Sequence, residues 1–305
     1  IIIRIYKQMK ENKVAVIIKT APNRKSLLWL LNSIELTMED VEYRLYIADE
    51  HPVDEWKTDL YEKLKDQGHF IKVWDGPVAV TVARNALIDN LKDEQYVLRV
   101  DDDFELSGEF NINCLLKVLE NQSIDFCCDI ERQIGEGKNI KSGDLRIKSG
   151  DIILKNNGPS ILHMKDDSSW RYNEYRSTRY AYANYMRNLI LLKRNCFEKV
   201  RWNENLNFSG EHLDFFMSLK EAGFQGAFTP DSIHLHRDDL KKISVNIQEE
   251  VEWRQIDLGK VKKNEFNKRW GGIPKKRYGI IKDGYSLLRK KTAILSNIIS
   301  RRIKE

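Results

Sequence analysis

The first hundred residues alternate between short apolar runs and segments in which apolar residues recur at helical spacing. Residues 13–20, KVAVIIKT, form a continuous apolar run of the kind buried in a parallel sheet. The next apolar side chains recur three and four positions apart, which predicts a helix within 21–34. The alternation continues with predicted strands at 43–50, 69–75 and 95–100, and predicted helices at 54–67 and 78–91. This order predicts right-handed βαβ units on a mostly parallel sheet, an α/β fold.

After residue 103 the strands and helices no longer alternate regularly. We predict helices at 111–121 and 210–224 and strands at 125–133, 187–194 and 232–238. Residues 143–156 are predicted to form a hairpin with its turn near Ser149 and Gly150. The residues after 240 are charged and mostly helical in pattern. We therefore expect an α/β domain at 1–240 and a basic helical C-terminal extension at 241–305.

The charge of the chain is concentrated at its C-terminal end. Residues 275–305 carry ten Lys and Arg against two acidic residues, a local charge of +8 that leaves −3 for the other 274 residues. A nearly neutral body argues against a general nucleic-acid binder. Leu and Ile runs between the basic clusters are typical of a helix on an anionic membrane surface, and equally of a helix docked on the body. We predict peripheral membrane contact through 275–305.

Length, hydropathy and cysteine content exclude further classes of protein. A chain of 305 residues with a mean hydropathy of −0.54 has no run of the roughly 20 apolar residues that span a bilayer. The four cysteines show no C-x-x-C spacing, so a zinc site or a disulfide framework is not expected. The chain starts IIIRIYKQMKENK, with isoleucine rather than methionine as its first residue and no signal-peptide apolar region, and we expect a segment upstream of it.

Polar residues follow three of the predicted parallel strands. They are Thr20 to Arg24, Asp49, and the run Asp101–Asp103. Ligands of such sheets bind beyond the carboxyl ends of the strands, so these residues are expected at one rim. By itself the aspartate run is equally compatible with a solvated turn or helix cap and with a site for a divalent cation.

Five segments, in this order, resemble the A-type glycosyltransferases, family 2 and its relatives. They are VAVIIKTAPNR, LYIADE, VARNALIDNL, YVLRVDDDFEL and GEHLDFF. Within that group the sequence is most similar to β-1,4-N-acetylgalactosaminyltransferases. The resemblance implies the GT-A fold, a Rossmann-like nucleotide-sugar-binding domain with a mostly parallel sheet, here with a helical C-terminal tail. It also implies metal-dependent, inverting transfer of N-acetylgalactosamine or another hexose or N-acetylhexosamine from a UDP-sugar to a hydroxyl of a glycan or glycolipid.

The resemblance also implies roles for individual residues. Asp101 and Asp103 take the D-x-D positions that bind Mn²⁺ or Mg²⁺, with Asp102 between them, and a late histidine, His236 or alternatively His234, is a further metal ligand. The residues implied to contact the UDP-sugar are Thr20, Ala21, Arg24, Asp49, Arg84, Asn85, Asp101 and Asp102.

The catalytic base is expected in SGEHLDFF, where relatives carry Glu-Asp. Glu211 matches the glutamate, and His212 stands in place of the aspartate. Asp214 lies three residues after Glu211, on the same helical face. All three side chains can accept a proton, and we prefer Asp214, then Glu211.

Two other functions remain open at this level. A nucleotidyltransferase also uses a metal-binding carboxylate pair, but TAPNRKS lacks the glycines of a phosphate loop. A non-catalytic glycan- or membrane-binding protein predicts no metal-dependent binding of UDP. One of two glycosylation sequons, at Asn207, adjoins the expected active site, where a glycan would obstruct it. We therefore expect a cytoplasmic protein at the inner face of the membrane, with a Golgi lumen fragment as the alternative.

Overall fold

A computed structural model describes residues 13–22, 24–135, 142–143, 145–147, 149–155, 159–165, 170–186, 189–206, 210–237, 239 and 258–278. The first half contains the predicted βαβ units. Their elements are β1 (Lys13–Lys19), α1 (Ser26–Thr37), β2 (Glu42–Glu50), α2 (Glu55–Asp66), β3 (Phe70–Trp74), α3 (Val80–Ile88) and β4 (Tyr96–Asp101). These four strands are parallel, in the order β3-β2-β1-β4.

The second half extends this sheet and adds a smaller one. Its elements are β5 (Phe104–Glu105), α4 (Ile112–Glu120), β6 (Phe126–Ile134), β7 (Leu145–Arg146), β8 (Gly150–Ile153), β9 (Ile161–Met164), β10 (Asn173–Tyr175), β11 (Thr178–Tyr182), β12 (Ile190–Lys193), α5 (Cys196–Lys199), α6 (Glu211–Glu221), β13 (Gly226–Arg237), α7 (Leu258–Trp270) and β14 (Lys275–Tyr278). The main sheet has the order β10-β11-β13-β6-β12-β4-β1-β2-β3, with β5 on β13 and β7 on β6; β14-β9-β8 form the small sheet.

Helices cover both faces of the main sheet, which explains why its central strands are apolar throughout. Ala15 and Ile17 of β1 pack into a core that includes α3, α6 and the end of α7. Val14, Val16 and Ile18 point to the opposite core, which includes α1 and α4. Successive side chains of a strand alternate between faces, so one apolar run serves two cores.

The strand order reverses between β1 and β4. β2 and β3 lie on one side of β1, and β4 lies on the other, with Lys19 paired to Asp101 at the carboxyl ends. A crevice at such a reversal is where open α/β sheets bind ligands. The fold therefore brings Thr20 and the aspartate run together at that crevice.

Most predicted elements are confirmed, but the hairpin with a turn at Ser149 and Gly150 is wrong. β7 pairs with β6, and the hairpin is instead β8 with β9. Gly150 lies where a β-carbon would be 2.5 Å from the His163 carbonyl oxygen, so this glycine permits a close strand approach.

The C-terminal extension contains α7 and also a strand, β14, which pairs with β9. Phe266 and Trp270 of α7 are buried in the core of the body. The membrane-contact prediction falls mainly on residues 279–305, which lie outside the described residues. No described helix has both the length and the apolar character needed to cross a bilayer. The four cysteines are free thiols, and burial raises the pKa of Cys196 to about 12.

Candidate active site

Strand pairing places His236 beside the aspartate run. β5 follows the run directly and pairs with β13, so that His236 is opposite Phe104. The backbone N–H of Arg237 donates to the Asp103 carbonyl at 2.8 Å. His236 Nε2 consequently lies 3.4 Å from Asp103 Oδ2. A carboxylate and an imidazole from distant parts of the chain meet at the rim of the sheet.

The Asp103–His236 pair suits a divalent cation that is shared with a phosphate ligand. Mg²⁺ is commonly held by one or two protein side chains, substrate phosphates and water, and Mn²⁺ accepts the same oxygen ligands together with imidazole. In the described part of the chain, no three His, Cys, Asp or Glu residues are grouped to hold a metal by themselves. Burial opposes protonation of His236, but Asp103 and Glu131 raise its pKa to about 10, so a cation bound there would have to displace that proton. Two neighbouring ligands fit such a cation, with the rest of its shell left to substrate and water.

His234 lies on the same face of β13 but does not reach the aspartate run. Its Nδ1 is 2.7 Å from Asp129 Oδ1, and both side chains are fully buried. The Phe104 ring contacts both histidines, at 4.6 Å from the His234 ring and 5.3 Å from that of His236. Of the two histidines, His236 is the one that lies beside Asp103, and a metal-ligand role for either histidine stays a prediction.

Asp101 is neutralised by two buried arginines. Arg84 Nη2 and Arg99 Nη2 donate to its Oδ1 at 3.0 and 2.7 Å. Burial favours protonation of Asp101, but Arg99 and Arg84 lower its pKa overall. A carboxylate already paired with two cations is a poor metal ligand. In this structure Oδ1 of Asp101 holds Arg84 and Arg99, and the role of Asp101 as a metal ligand stays a prediction.

One guanidinium nitrogen of Arg84 is not used in the hydrogen bonds of the described residues. Its side chain is buried, and its Nη1 has no hydrogen-bond partner among the described residues. Burial and the charge of Arg99 lower the pKa of Arg84 to about 10, although Asp101 and Glu211 act in the opposite direction. A buried, charged N–H without an acceptor is costly. A bound anion such as a diphosphate would supply that acceptor.

Asp102 connects β4 to the loop after β1. The Thr20 hydroxyl donates to Asp102 Oδ2 at 2.7 Å, and the Thr20 N–H donates to the Ala48 carbonyl. Burial raises the pKa of Asp102 to about 6, although Arg24 and the Thr20 hydroxyl act against this shift. The Thr20–Asp102 bond thus joins the ends of β1 and β4 at the crevice, and contact of Thr20, Arg24 and Asp102 with a UDP-sugar stays a prediction.

Asp49 is fully buried and has donors on both carboxylate oxygens. Its Oδ2 accepts from Lys57 Nζ at 2.8 Å and from the Tyr61 hydroxyl at 2.6 Å, and its Oδ1 accepts from the Glu50 N–H at 2.9 Å. Lys57 Nζ also donates to the Ala21 carbonyl at 2.6 Å. Through Lys57 the Asp49 side chain supports the loop after β1, and the predicted contact of Asp49 with the base and ribose stays a prediction.

Asn85 is also occupied by the protein itself. Its Nδ2 donates to the Trp202 carbonyl and to Glu204 Oε1, each at 2.9 Å. Its Oδ1 accepts from the Trp202 N–H at 3.0 Å. These contacts give Asn85 a structural role, and its predicted contact with diphosphate and sugar stays a prediction. Asn85 fixes the segment that leads into α6, beside Arg84.

The three candidate bases at the start of α6 have different surroundings. Glu211 is half-buried, and no described residue donates a hydrogen bond to its carboxylate. His212 Nε2 lies 2.7 Å from the Met186 carbonyl oxygen and must donate to it; burial and Arg99 lower the pKa of His212 to about 3. Asp214 is buried and accepts from Trp270 Nε1 at 2.6 Å and from Arg269 Nη1 at 2.9 Å. Of the two carboxylates, Asp214 is held by α7, whereas Glu211 accepts no hydrogen bond from a described residue; which of the three is the base stays a prediction.

Sequence reasoning missed Arg99, Lys57 and the Arg269–Trp270 pair. Arg99 had a signal, because it is a charged residue inside the apolar run YVLRV and such a residue needs a partner. Lys57 lies on a charged helix, where nothing distinguishes it from its exposed neighbours. Arg269 and Trp270 meet Asp214 across more than 50 residues of sequence.

Comparisons with known proteins indicate a shared fold. No protein-family model and no curated protein matches the chain. Among solved structures, residues 1–349 of S. aureus TarS are 16% identical over 74% of this chain and 58% of that one, with a TM-score of 0.47. A longer TarS structure is 15% identical over 76% of this chain and 38% of that one, with a TM-score of 0.51. GalNAc-T7 with UDP, GalNAc and Mn²⁺ is 14% identical over 86% of this chain and 55% of that one, with a TM-score of 0.57.

TarS and GalNAc-T7 are glycosyltransferases. The chain spans between 38% and 58% of the length of these structures. At such low identity the likeness concerns the fold, and it agrees with the four parallel strands and their reversal between β1 and β4. The chain has the A-type glycosyltransferase fold.

Proposed function

We propose that this chain is a glycosyltransferase that moves a sugar from a UDP-sugar to a hydroxyl of a glycan acceptor, with a divalent cation. The observation that carries the proposal is the grouping at one sheet rim of Asp103 with His236 and of Asp101 with Arg84. The Asp103–His236 pair suits a cation shared with phosphate, and Arg84 offers a cationic N–H that has no acceptor among the described residues. The cation site and the Arg84 donor suit the diphosphate of a nucleotide sugar, and the Glu211 carboxylate suits the acceptor hydroxyl.

The proposed reaction is a single displacement at the anomeric carbon. The Glu211 carboxylate takes the proton of the acceptor hydroxyl as its oxygen attacks that carbon. The bond from the anomeric carbon to the diphosphate oxygen breaks, and UDP leaves with the electron pair. Attack opposite the leaving group inverts the anomeric configuration. A positioned general base contributes about 10²- to 10⁴-fold to such a rate.

The remaining groups act on the leaving group. Arg84 Nη1 donates to a diphosphate oxygen, and Asp101 keeps the Arg84 guanidinium in place through Nη2. Asp103 and His236 would hold the divalent cation, which as a Lewis acid stabilises charge on the departing diphosphate. Thr20 and Asp102 join the walls of the nucleotide crevice. For the donor sugar we propose N-acetylgalactosamine first, with other hexoses and N-acetylhexosamines next.

A panel of nucleotide sugars tests this proposal. The protein is incubated with Mn²⁺ and each UDP-linked sugar, and released UDP is quantified. We expect slow hydrolysis of one donor or a few related donors, abolished by EDTA and restored by Mn²⁺. Release of pyrophosphate from nucleoside triphosphates, without UDP from any sugar donor, would instead favour a nucleotidyltransferase.

A further inference from the structure

Helix α7 contacts the first turn of α6 through one of its faces. The contacting residues are Lys262, Phe266, Arg269 and Trp270. Their spacing of four, three and one positions puts them on one side of the helix. Although α7 lies far along the chain from the sheet rim, it touches the turn that carries Glu211.

The first contact is at Gly210, the residue before α6. Gly210 has a φ of +89°, a conformation that side chains rarely adopt. A β-carbon here would lie 2.9 Å from both Lys262 Cε and Phe266 Cε2. Phe266 is fully buried, so it has no room to move aside. The approach of α7 therefore depends on a glycine at this position.

The second contact is at Asp214, one helical turn later. Trp270 Nε1 and Arg269 Nη1 each donate to a different oxygen of its carboxylate, which is 1% exposed. The Asp214 N–H donates to the Gly210 carbonyl at 2.9 Å and so closes the turn. Both ends of the turn that carries Glu211 are thus held by α7.

We propose that Arg269 and Trp270 are positioning residues that act through Asp214 to orient Glu211, so that α7 belongs to the catalytic unit. This inference rests on the proposed function and adds a role for a segment beyond residue 240. The donor side of the site is held by other elements: Thr20 bonds Asp102, Arg84 bonds Asp101, and β13 holds Asp103. Disturbing the α7 contacts should therefore separate turnover from donor binding.

The experiment compares Trp270→Phe, which keeps a buried ring but lacks the N–H donor, with wild-type protein. Lys268→Ala is the matched control, because Lys268 is an exposed basic residue of α7. We expect Trp270→Phe to lower kcat about 10- to 100-fold, since small misplacements of a reacting group cost that much. The KM for the UDP-sugar and the Kd for UDP with Mn²⁺ should stay at the wild-type and Lys268→Ala values.

A second pair of variants distinguishes a loss of positioning from a folding defect. Arg269→Ala should lower kcat in the same way, and Arg269→Lys, which keeps the positive charge, should recover part of the loss. A wild-type kcat in Trp270→Phe, or equal losses of kcat and UDP affinity, would overturn the positioning role. Failure of the wild-type protein to release UDP would instead contradict the proposed function, so the two failures are distinguishable.

Discussion

Replacing Glu211 by glutamine is expected to lower kcat by about 10²- to 10⁴-fold, the usual contribution of a general base. Glutamine has the same shape but cannot accept the proton of the acceptor hydroxyl. The neighbouring Arg84 loses one nearby negative charge but keeps its bond to Asp101, so UDP binding should persist. Initial rates at saturating donor and acceptor, with UDP titrations on the same samples, measure both effects.

Glu221→Gln is the matched control for this substitution. Glu221 is the exposed last residue of α6, far from the turn that carries Glu211. The Glu221→Gln substitution should leave kcat unchanged. A Glu211→Gln protein with a kcat close to that of Glu221→Gln would remove Glu211 from the mechanism. His212 would be a poor replacement, because its low pKa makes it a weak base.

Replacing Lys57 by methionine is expected to destabilise the protein by about 3–5 kcal/mol, the usual cost of removing one partner of a buried ion pair. Lys57 and Asp49 are both fully buried, and methionine would leave the carboxylate without its counter-charge. The Ala21 carbonyl would also lose its donor, so the loop beside Thr20 should shift and UDP affinity should fall. Urea unfolding followed by circular dichroism measures the change in the free energy of unfolding.

Two comparisons make this result specific. Lys63→Met removes a lysine from the exposed face of the same helix and should change stability little. Adding Asp49→Asn to Lys57→Met removes the uncompensated charge and should recover part of the loss. If Lys57→Met is no less stable than Lys63→Met, the buried pair does not support this loop.

The sheet and its functional rim followed from local patterns in the sequence. Continuous apolar runs such as 13–20 identify strands covered on both faces, and the polar residues after them mark one edge. Thr20, Asp102 and Asp103 could be placed this way because each directly follows a strand. The pairing of β5 with β13 was not predictable, yet alternation along 232–238 correctly put His234 and His236 on one face.

The roles of individual carboxylates could not be read in the same way. Asp49 and Asp214 stand at motif positions as clearly as Asp103, but each is buried against donors from elsewhere in the fold. Whether a carboxylate faces a ligand or an internal lysine depends on tertiary packing, which local sequence does not encode. Asn85 is similar, since its partner Trp202 is 117 residues away.

The most direct test of the central claim is calorimetric binding of UDP with and without Mn²⁺, to wild-type protein and to Asp103→Ala. The account predicts that wild-type protein binds UDP tightly only with Mn²⁺, and that Asp103→Ala loses this dependence together with most of the affinity. Asp59→Ala, which removes an exposed aspartate of α2, is the control for a general effect of losing a carboxylate. A metal-dependent glycosyltransferase site at this rim would be contradicted by UDP binding that is equally tight without Mn²⁺. It would also be contradicted by an Asp103→Ala protein that binds UDP as the wild type does.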